Sequence, residues 1–321
     1  MKVLRTLPLS PVPPHPVLTI GNFDGQHMGH RALVTSVVEL ARSRHGTPMV
    51  LTFDPHPATV LNPGVALQFL SSPEQKREFF QNLGVEVLIF LNFTRQLASF
   101  TPSQFVYKIL RDGIGVRDVM VGKSFAFGKG RCGHVQELIQ LGSEANFEVH
   151  PFLPVQVDGQ VVSSTRIRRC IQDGMVKDAA RYLGRYYSLS GRVIRGEGRG
   201  TEIGWPTANL PIPGNRVVPP DGVYVTTAVI KGEVLKSVSY IGNRPTFAQG
   251  VRMLEVHLLD MNRSLYDEEL KVNFIERIRG DQKFSTISDL VRQIESDANL
   301  ARKRLQSFSG GPAKTPMRVG S

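Results

Sequence analysis

Gly21-Asn22-Phe23-Asp24-Gly25-Gln26-His27-Met28-Gly29-His30 decides how this chain reads. An apolar, strand-like run, Val17–Asn22, leads into it. From about Met28 to His45 the apolar residues Leu33, Val37, Leu40 and Ala41 follow at helical spacing. The stretch therefore sits where a strand ends and a helix begins. A helix start presents free backbone N–H groups and partial positive charge, which suits phosphate, so Gly21, Asn22, Phe23 and Gly29 are expected to contact it. Gly29 also lets the chain approach a ligand closely. His27 and His30, three residues apart, can share one side of the first turn. Two imidazoles there can hydrogen-bond a nucleotide's phosphates as charge moves onto the leaving pyrophosphate. Metal binding by the pair is the competing reading, but no third ligand lies at helical spacing. Simple helix capping accounts less well for the surrounding glycines.

The rest of the first half alternates strands and helices. Pro48–Phe53, Val85–Phe90 and Asp118–Gly122 read as strands, and His134–Leu141 as a helix. Ser72-Pro73-Glu74-Gln75 and Thr101-Pro102-Ser103-Gln104 are capping boxes with proline at the first helical position. Such alternation implies a mostly parallel sheet with helices on both faces. A hairpin over Val155–Val162 turns on Asp158-Gly159. Helices at Thr165–Gln172 and Met175–Leu183 follow, and Gly184 stops the second. The boundary falls near Arg185, giving domains 1–185 and 186–308 and a loose tail 309–321 rich in Gly, Pro, Ser and Lys.

Beyond the boundary the pattern changes. Val223–Ile230 and Glu233–Ile241 alternate around Lys231-Gly232, and Val251–Leu259 and Leu270–Phe274 are strand-like. An amphipathic helix capped near Ser285 carries the stripe Ile287, Leu290, Val291, Ile294, Ala298, Leu305. Strands followed by one helix suggest a small antiparallel barrel with a C-terminal helix.

Composition narrows the function classes. Hydrophobic residues make up 41% of 321, enough for two cores. The two cysteines, Cys132 and Cys170, form no Cys-x-x-Cys pair, which argues against a disulfide framework or a zinc site of that kind. No segment approaches the roughly 20 apolar residues of a membrane helix. Five prolines before residue 17 argue against a signal peptide, so a cytoplasmic protein with no membrane partner is expected. The net charge of +11 attracts anions of any kind. The basic residues are scattered, which favours small anionic substrates over nucleic acid.

The junction motif resembles the His-x-Gly-His signature of a nucleotidyltransferase superfamily with a Rossmann-like fold. Together with Phe53-Asp54-Pro55-His56-Pro57 it resembles the adenylyltransferase module of bacterial bifunctional riboflavin kinase/FAD synthetases. Ser163-Ser164-Thr165-Arg166-Ile167-Arg168 opens a helix that Ser164 or Thr165 can cap. Its arginines crowd a helix start, which suits triphosphate oxygens. It resembles the family's second nucleotide-binding motif, which implies that Thr165 and Arg168 contact ATP. Val121–Gly128 departs from that family, which often has an acidic or amide residue where Ser124 stands and Arg where Ala126 stands. Gly122-Lys123-Ser124 is no P-loop, because its first glycine would fall at Arg117.

In the second half, Gly198 and Gly200 belong to a glycine-rich segment, Arg195–Gly204, whose backbone can wrap phosphates. A mobile hairpin loop fits that segment equally well. In Trp205-Pro206-Thr207-Ala208-Asn209, Thr207 and Asn209 point the same way in an extended chain and suit Mg²⁺ carrying nucleotide phosphates. Glu255 shares a face with His257, opposite Leu254 and Val256, and can act as general base on a bound alcohol. A cross-strand ion pair is the ordinary alternative. These segments, with Asp221–Tyr224 and Ile241–Phe247, resemble the riboflavin kinase domain. The resemblance implies that Thr207 and Asn209 hold Mg-ATP and that Glu255 deprotonates the riboflavin 5′-hydroxyl. The expected substrates are ATP, riboflavin and FMN, and FAD is the expected product. Two other readings stay open at this point. One is a riboflavin kinase with a degenerate N-terminal module; the other is a flavin-sensing regulator that binds nucleic acid.

Overall fold

The computed structural model describes residues 1–64, 66–196, 198–243, 252–261, 263, 265–306, 308, 310–312 and 317–319. The chain forms two compact units, Met1–Ser163 joined by the strand Met317–Val319, and Ser164–Thr315.

In the first unit the order is β1 (Lys2–Leu4), β2 (Pro16–Ile20), α1 (Met28–Ser43), β3 (Thr47–Phe53), α2 (Pro57–Leu61), α3 (Pro73–Asn82) and β4 (Val87–Leu91). There follow α4 (Arg95–Ala98), α5 (Pro102–Phe105), β5 (Asp118–Gly122), a ribbon of β6 (Ala126–Phe127) and β7 (Gly133–His134), α6 (Val135–Glu144) and β8 (Glu148–Phe152). A π-type helical segment, Val106–Ile114, continues α5. Both expected capping boxes form, at Ser72 with Gln75 and at Thr101 with Gln104. Six strands pair in the order β1-β4-β3-β2-β5-β8, every neighbour parallel.

Alternation along the strands builds a core on each face. Met49, Leu51, Ile89, Val119 and Val121 pack with Leu110 and Leu138. Val50, Leu88 and Phe90 pack with Leu33 and Val34 of α1 and Phe79 and Phe80 of α3. Because β3 and β5 flank β2, the order reverses at β2, the place where parallel sheets bind ligands beyond the strands' carboxyl ends. β8 was not expected from the sequence; Glu148, His150 and Pro151 disguise it. Proline is tolerated there because β8 is an edge strand. The hairpin β9 (Val155–Val157) and β10 (Gln160–Val161) turns on Asp158 (φ 52°) and Gly159 (φ 71°), as expected. Met317–Val319, in the region expected to be a loose tail, pairs antiparallel with β9. The free edge of β9 gives those residues backbone partners that composition does not reveal.

The second unit opens with α7 (Ser164–Gln172) and α8 (Val176–Leu183), the latter ended by left-handed Gly184. Then come β11 (Tyr187–Arg192), α9 (Arg199–Glu202), β12 (Ala208–Pro211), β13 (Gly222–Ile230), β14 (Glu233–Asn243), β15 (Arg252–Leu258), β16 (Glu269–Gly280) and α10 (Ile287–Leu305). Antiparallel pairing runs β11-β16-β13-β14-β15-β12. A bridge from Ile194 to Asn209 joins the ends, so the sheet curls into a nearly closed barrel. β16 runs six residues beyond the expected Phe274. Its second half carries Glu276, Arg277 and Arg279 and pairs across two register shifts, so it lacks clean alternation. Thr286 rather than Ser285 caps α10. The buried stripe of α10 starts later than expected: Ala298, Ala301 and Leu305 pack on Val223, Val225 and Val238. Ile287, in the first turn before that contact begins, is 70% exposed.

Candidate active sites

The N-terminal site grows from the junction of β2 and α1. Asp24 folds the loop back: its carboxylate accepts from the backbone N–H of Leu70 and Ser71, at 3.0 and 3.3 Å. Gly25 N–H donates to Ser71 Oγ, and Gln26 Nε2 donates to Ser71 Oγ and Phe23 O. Lys76 of α3 reaches under the loop and donates to Asn22 O at 2.8 Å. Burial pushes the Lys76 ammonium below its ordinary value, against the opposing pull of Asp24 and Asp54. The capping box located α3 in the sequence, but nothing there showed that Lys76 turns inward. Asp24 and Lys76 are the supporting residues that sequence reasoning missed; Asp24 lay inside the quoted motif.

His27 occupies the N-cap of α1, and its Nδ1 accepts from the His30 backbone N–H at 3.2 Å. Its Nε2 therefore carries the proton of the neutral ring and is a donor. The two imidazoles stack, with centroids 3.6 Å apart and planes 14° apart, and Phe23 meets His30 edge-on. The structure thus brings together the pair expected to share a side. Gly21, Asn22, Phe23, His27, Gly29 and His30 all line a cavity of about 930 Å³ at the carboxyl ends of β2, β3, β5 and β8. Its far side is apolar, with Phe53, Phe93, Leu97, Phe105, Phe125 and Phe127. Lys123, Ser124, Ala126 and Arg131 line it too. Among its described lining residues there is no carboxylate. Ser163 also lines it, and α7 begins at the next residue. Ser164 and Thr165 are thus at the start of the helix, where the sequence placed them. Arg168 lies one turn further along and is half-buried.

The barrel site is built from side chains on neighbouring strands. Asn209 of β12 stands opposite Glu255 of β15, which in turn stands opposite Tyr240 of β14. The three form one row on one face of the sheet. Leu254 and Val256 are buried on the other face, as expected. Glu255, His257, Thr207, Gly200 and Tyr240 line a cavity of about 420 Å³, together with Arg279, Asp281 and Asp297. Asn209 is 4% exposed, and its Oδ1 has no hydrogen-bond partner among the described residues. Asn209 does not itself line that cavity, but it stands two residues from Thr207, which does, and a buried amide oxygen without a partner fits a Mg²⁺ ion carrying nucleotide phosphates.

Glycines permit the arrangement. A Cβ on Gly200 would lie 2.4 Å from Trp205 O, and one on Gly196 would lie 2.4 Å from Asn209 Nδ2. Gly198 (φ 78°) precedes the short helix α9. His257 Nδ1 bonds Pro206 O at 2.8 Å, pinning the Thr207 segment to the strand that carries Glu255. Burial holds His257 below the ordinary imidazole value. Tyr240 donates to Asp281 at 3.0 Å. Burial and that carboxylate push the Tyr240 hydroxyl well above its usual value.

Residues 10–166 match the family model described as FAD synthetase, and residues 183–305 the one described as riboflavin kinase. The bifunctional riboflavin kinase/FMN adenylyltransferase of Escherichia coli (strain K12) is 36% identical over 89% of this chain and 92% of its own. That of Bacillus subtilis (strain 168) is 35% identical over 89% and 91%. The chain belongs to this family. As a bifunctional riboflavin kinase/FMN adenylyltransferase it makes FMN in the barrel and FAD in the parallel-sheet domain. The crystal structure of a macrolide-efflux protein from Streptococcus pneumoniae is also similar, with TM-score 0.86 and 29% identity over 96% of this chain and 100% of that one. Among the described residues here, no helix is long and apolar enough to cross a membrane.

Proposed function

We propose that Glu255 is the general base of the riboflavin kinase step and that His27 and His30 carry the adenylyl transfer. The row Asn209–Glu255–Tyr240 beside Thr207 supports the first assignment most directly. The riboflavin 5′-hydroxyl gives its proton to the Glu255 carboxylate. Its oxygen then bonds the γ-phosphorus of ATP as the bond to ADP breaks. Tyr240 stays protonated under the influence of burial and Asp281, so it does not compete as a base. Thr207 and Asn209 would hold Mg²⁺, which neutralises charge on the phosphates.

In the first unit, an FMN phosphate oxygen attacks the α-phosphorus of ATP and pyrophosphate leaves. The His27 Nε2–H and the N–H groups at the start of α1 stabilise the departing charge. The phenylalanine-lined side of that cavity suits the flat, apolar flavin rings. Gly21, Asn22, Phe23 and Gly29 cradle phosphate; Ser164, Thr165 and Arg168 belong to the segment that resembles the family's second nucleotide-binding motif, which supports a role for them in binding ATP. Gly198 and Gly200 wrap the second ATP.

The test is incubation of the purified protein with riboflavin, ATP and Mg²⁺, followed by separation of the flavins. FMN and then FAD are expected. Riboflavin and FMN both left unchanged would end this reading.

A further inference from the structure

At the amino ends of the parallel strands, away from the nucleotide cavity, chain segments converge on one buried carboxylate. Asp118 opens β5 and is 1% exposed. His15 Nε2 lies 2.6 Å from its Oδ2, and His150 Nε2 lies 2.7 Å from its Oδ1. Glu148 and His150 are two apart on β8 and so share a face; Glu148 Oε2 is 3.7 Å from His150 Nε2. Among the described residues, Asp118, Glu148 and His150 are the one set of three such donors whose ligand atoms all lie within 4.8 Å of one another. The side chains of His15 and His150 are 36% and 31% exposed, so an ion can enter from solvent. Gly122, at the other end of β5, lines the nucleotide cavity. Four residues of strand, about 13 Å, separate the two places.

We infer that these residues form a second, unassigned site for a transition-metal dication such as Zn²⁺. Its ligands are His150 Nε2 and one oxygen each of Asp118 and Glu148, with His15 holding the other Asp118 oxygen from outside. Ligand atoms about 2.0–2.2 Å from zinc at the tetrahedral angle lie about 3.3–3.6 Å from one another. The observed separations of 2.7 and 3.7 Å bracket that range, so small side-chain rotations admit the ion. Mixed imidazole and carboxylate donors suit zinc, manganese or iron better than Mg²⁺ or Ca²⁺, which take oxygen. Each imidazole hydrogen-bonds a different Asp118 oxygen, so the carboxylate is held in place at the mouth of the site. Binding replaces the His150 N–H···O bond with a metal bond, and the neutral ring keeps its single proton by carrying it on Nδ1. Glu148 Oε2 also accepts from Arg44 Nη2 at 2.9 Å, an exposed contact that the ion displaces. The bound ion ties together the starts of β5 and β8.

The test is titration of the metal-stripped full chain with Co²⁺ in Mg²⁺-free buffer, read by d–d absorption. A band saturating at one equivalent is expected. His150→Gln keeps an N–H donor toward Asp118 but removes the imidazole ligand. Co²⁺ affinity should then fall by at least roughly 10–100-fold, the scale on which even outer partners act. Circular dichroism checks that this variant folds. Should it not, Glu148→Gln, at an exposed side chain, should still weaken the band by about tenfold. The His27→Ala/His30→Ala variant should keep the band. Absence of a band in the wild type, or an undiminished band in the histidine-to-glutamine or Glu148→Gln variant, overturns the site. So does loss of the band on changing His27 and His30 alone.

Discussion

The two cavities proposed to take nucleotide are built by opposite means. The N-terminal one rests on main chain: a loop pinned from below by Asp24, Ser71 and Lys76, a helix start, and two imidazoles. Cations line it, and none of its described lining residues is acidic. The barrel cavity rests on side chains from adjacent strands and carries Glu255, Asp281 and Asp297. The nucleophiles explain the difference. The phosphate of FMN is already anionic and needs no base, so a carboxylate there would only repel it. The riboflavin hydroxyl must lose a proton, so the barrel must supply an acceptor.

The contrast can be broken most sharply at the base. Glu255→Gln should cost roughly 10²–10⁴-fold in FMN formation while FAD synthesis from supplied FMN continues; unchanged kinase turnover would remove Glu255 from its role. His30→Ala should cost roughly 10²–10³-fold in adenylylation, by analogy with losing one oxyanion donor, and spare the kinase. A loss below about fivefold would count against His30. Gly200→Ala forces a Cβ to within 2.4 Å of Trp205 O. Overpacking of that kind should lower kinase kcat/KM by about tenfold, and a wild-type value would show that the loop yields freely. Ala126→Arg places a guanidinium in a cavity with no carboxylate among its described lining residues and should lower the KM for FMN or ATP by about threefold to tenfold, the scale of one ordinary hydrogen bond; a rise in both constants would refute the idea.

The smallest effect concerns pH. Burial keeps His257 neutral in the folded barrel, below its unfolded value of about 6.5. Stability from this group is therefore fully present above that value and is lost as pH falls through the folded one. Thermal melts at falling pH should show a declining midpoint for the barrel, with a flatter decline in His257→Gln. Equal slopes in the two proteins would dismiss this contribution.

What the sequence disclosed follows the length scale of the interactions. The junction around His27 and His30, the two capping boxes, the Asp158-Gly159 and Lys231-Gly232 turns and the alternation around Glu255 are local, and each was legible. The parallel sheet and the barrel followed from their order. The row that sets Asn209 beside Glu255 depends on strand register, which no local pattern fixes. Lys76 reaches Asn22 across 54 residues, and His15 reaches Asp118 across 103, so their partners could not be read from spacing. β8 and the far half of β16 were missed because charged residues and bulges erase the two-residue period.

The short strand Met317–Val319 has a practical bearing on dissecting the molecule. Central in its three-stranded ribbon lies Val155–Val157, with Gln160–Val161 on one side and the chain's last strand on the other. A fragment cut after Ser163 would keep every residue that lines the larger cavity yet strip that ribbon of one neighbour. The bared row of amides and carbonyls is a template for another polypeptide. Self-association of such a fragment would then report the missing strand, and adding back a peptide spanning 317–319 should reverse it.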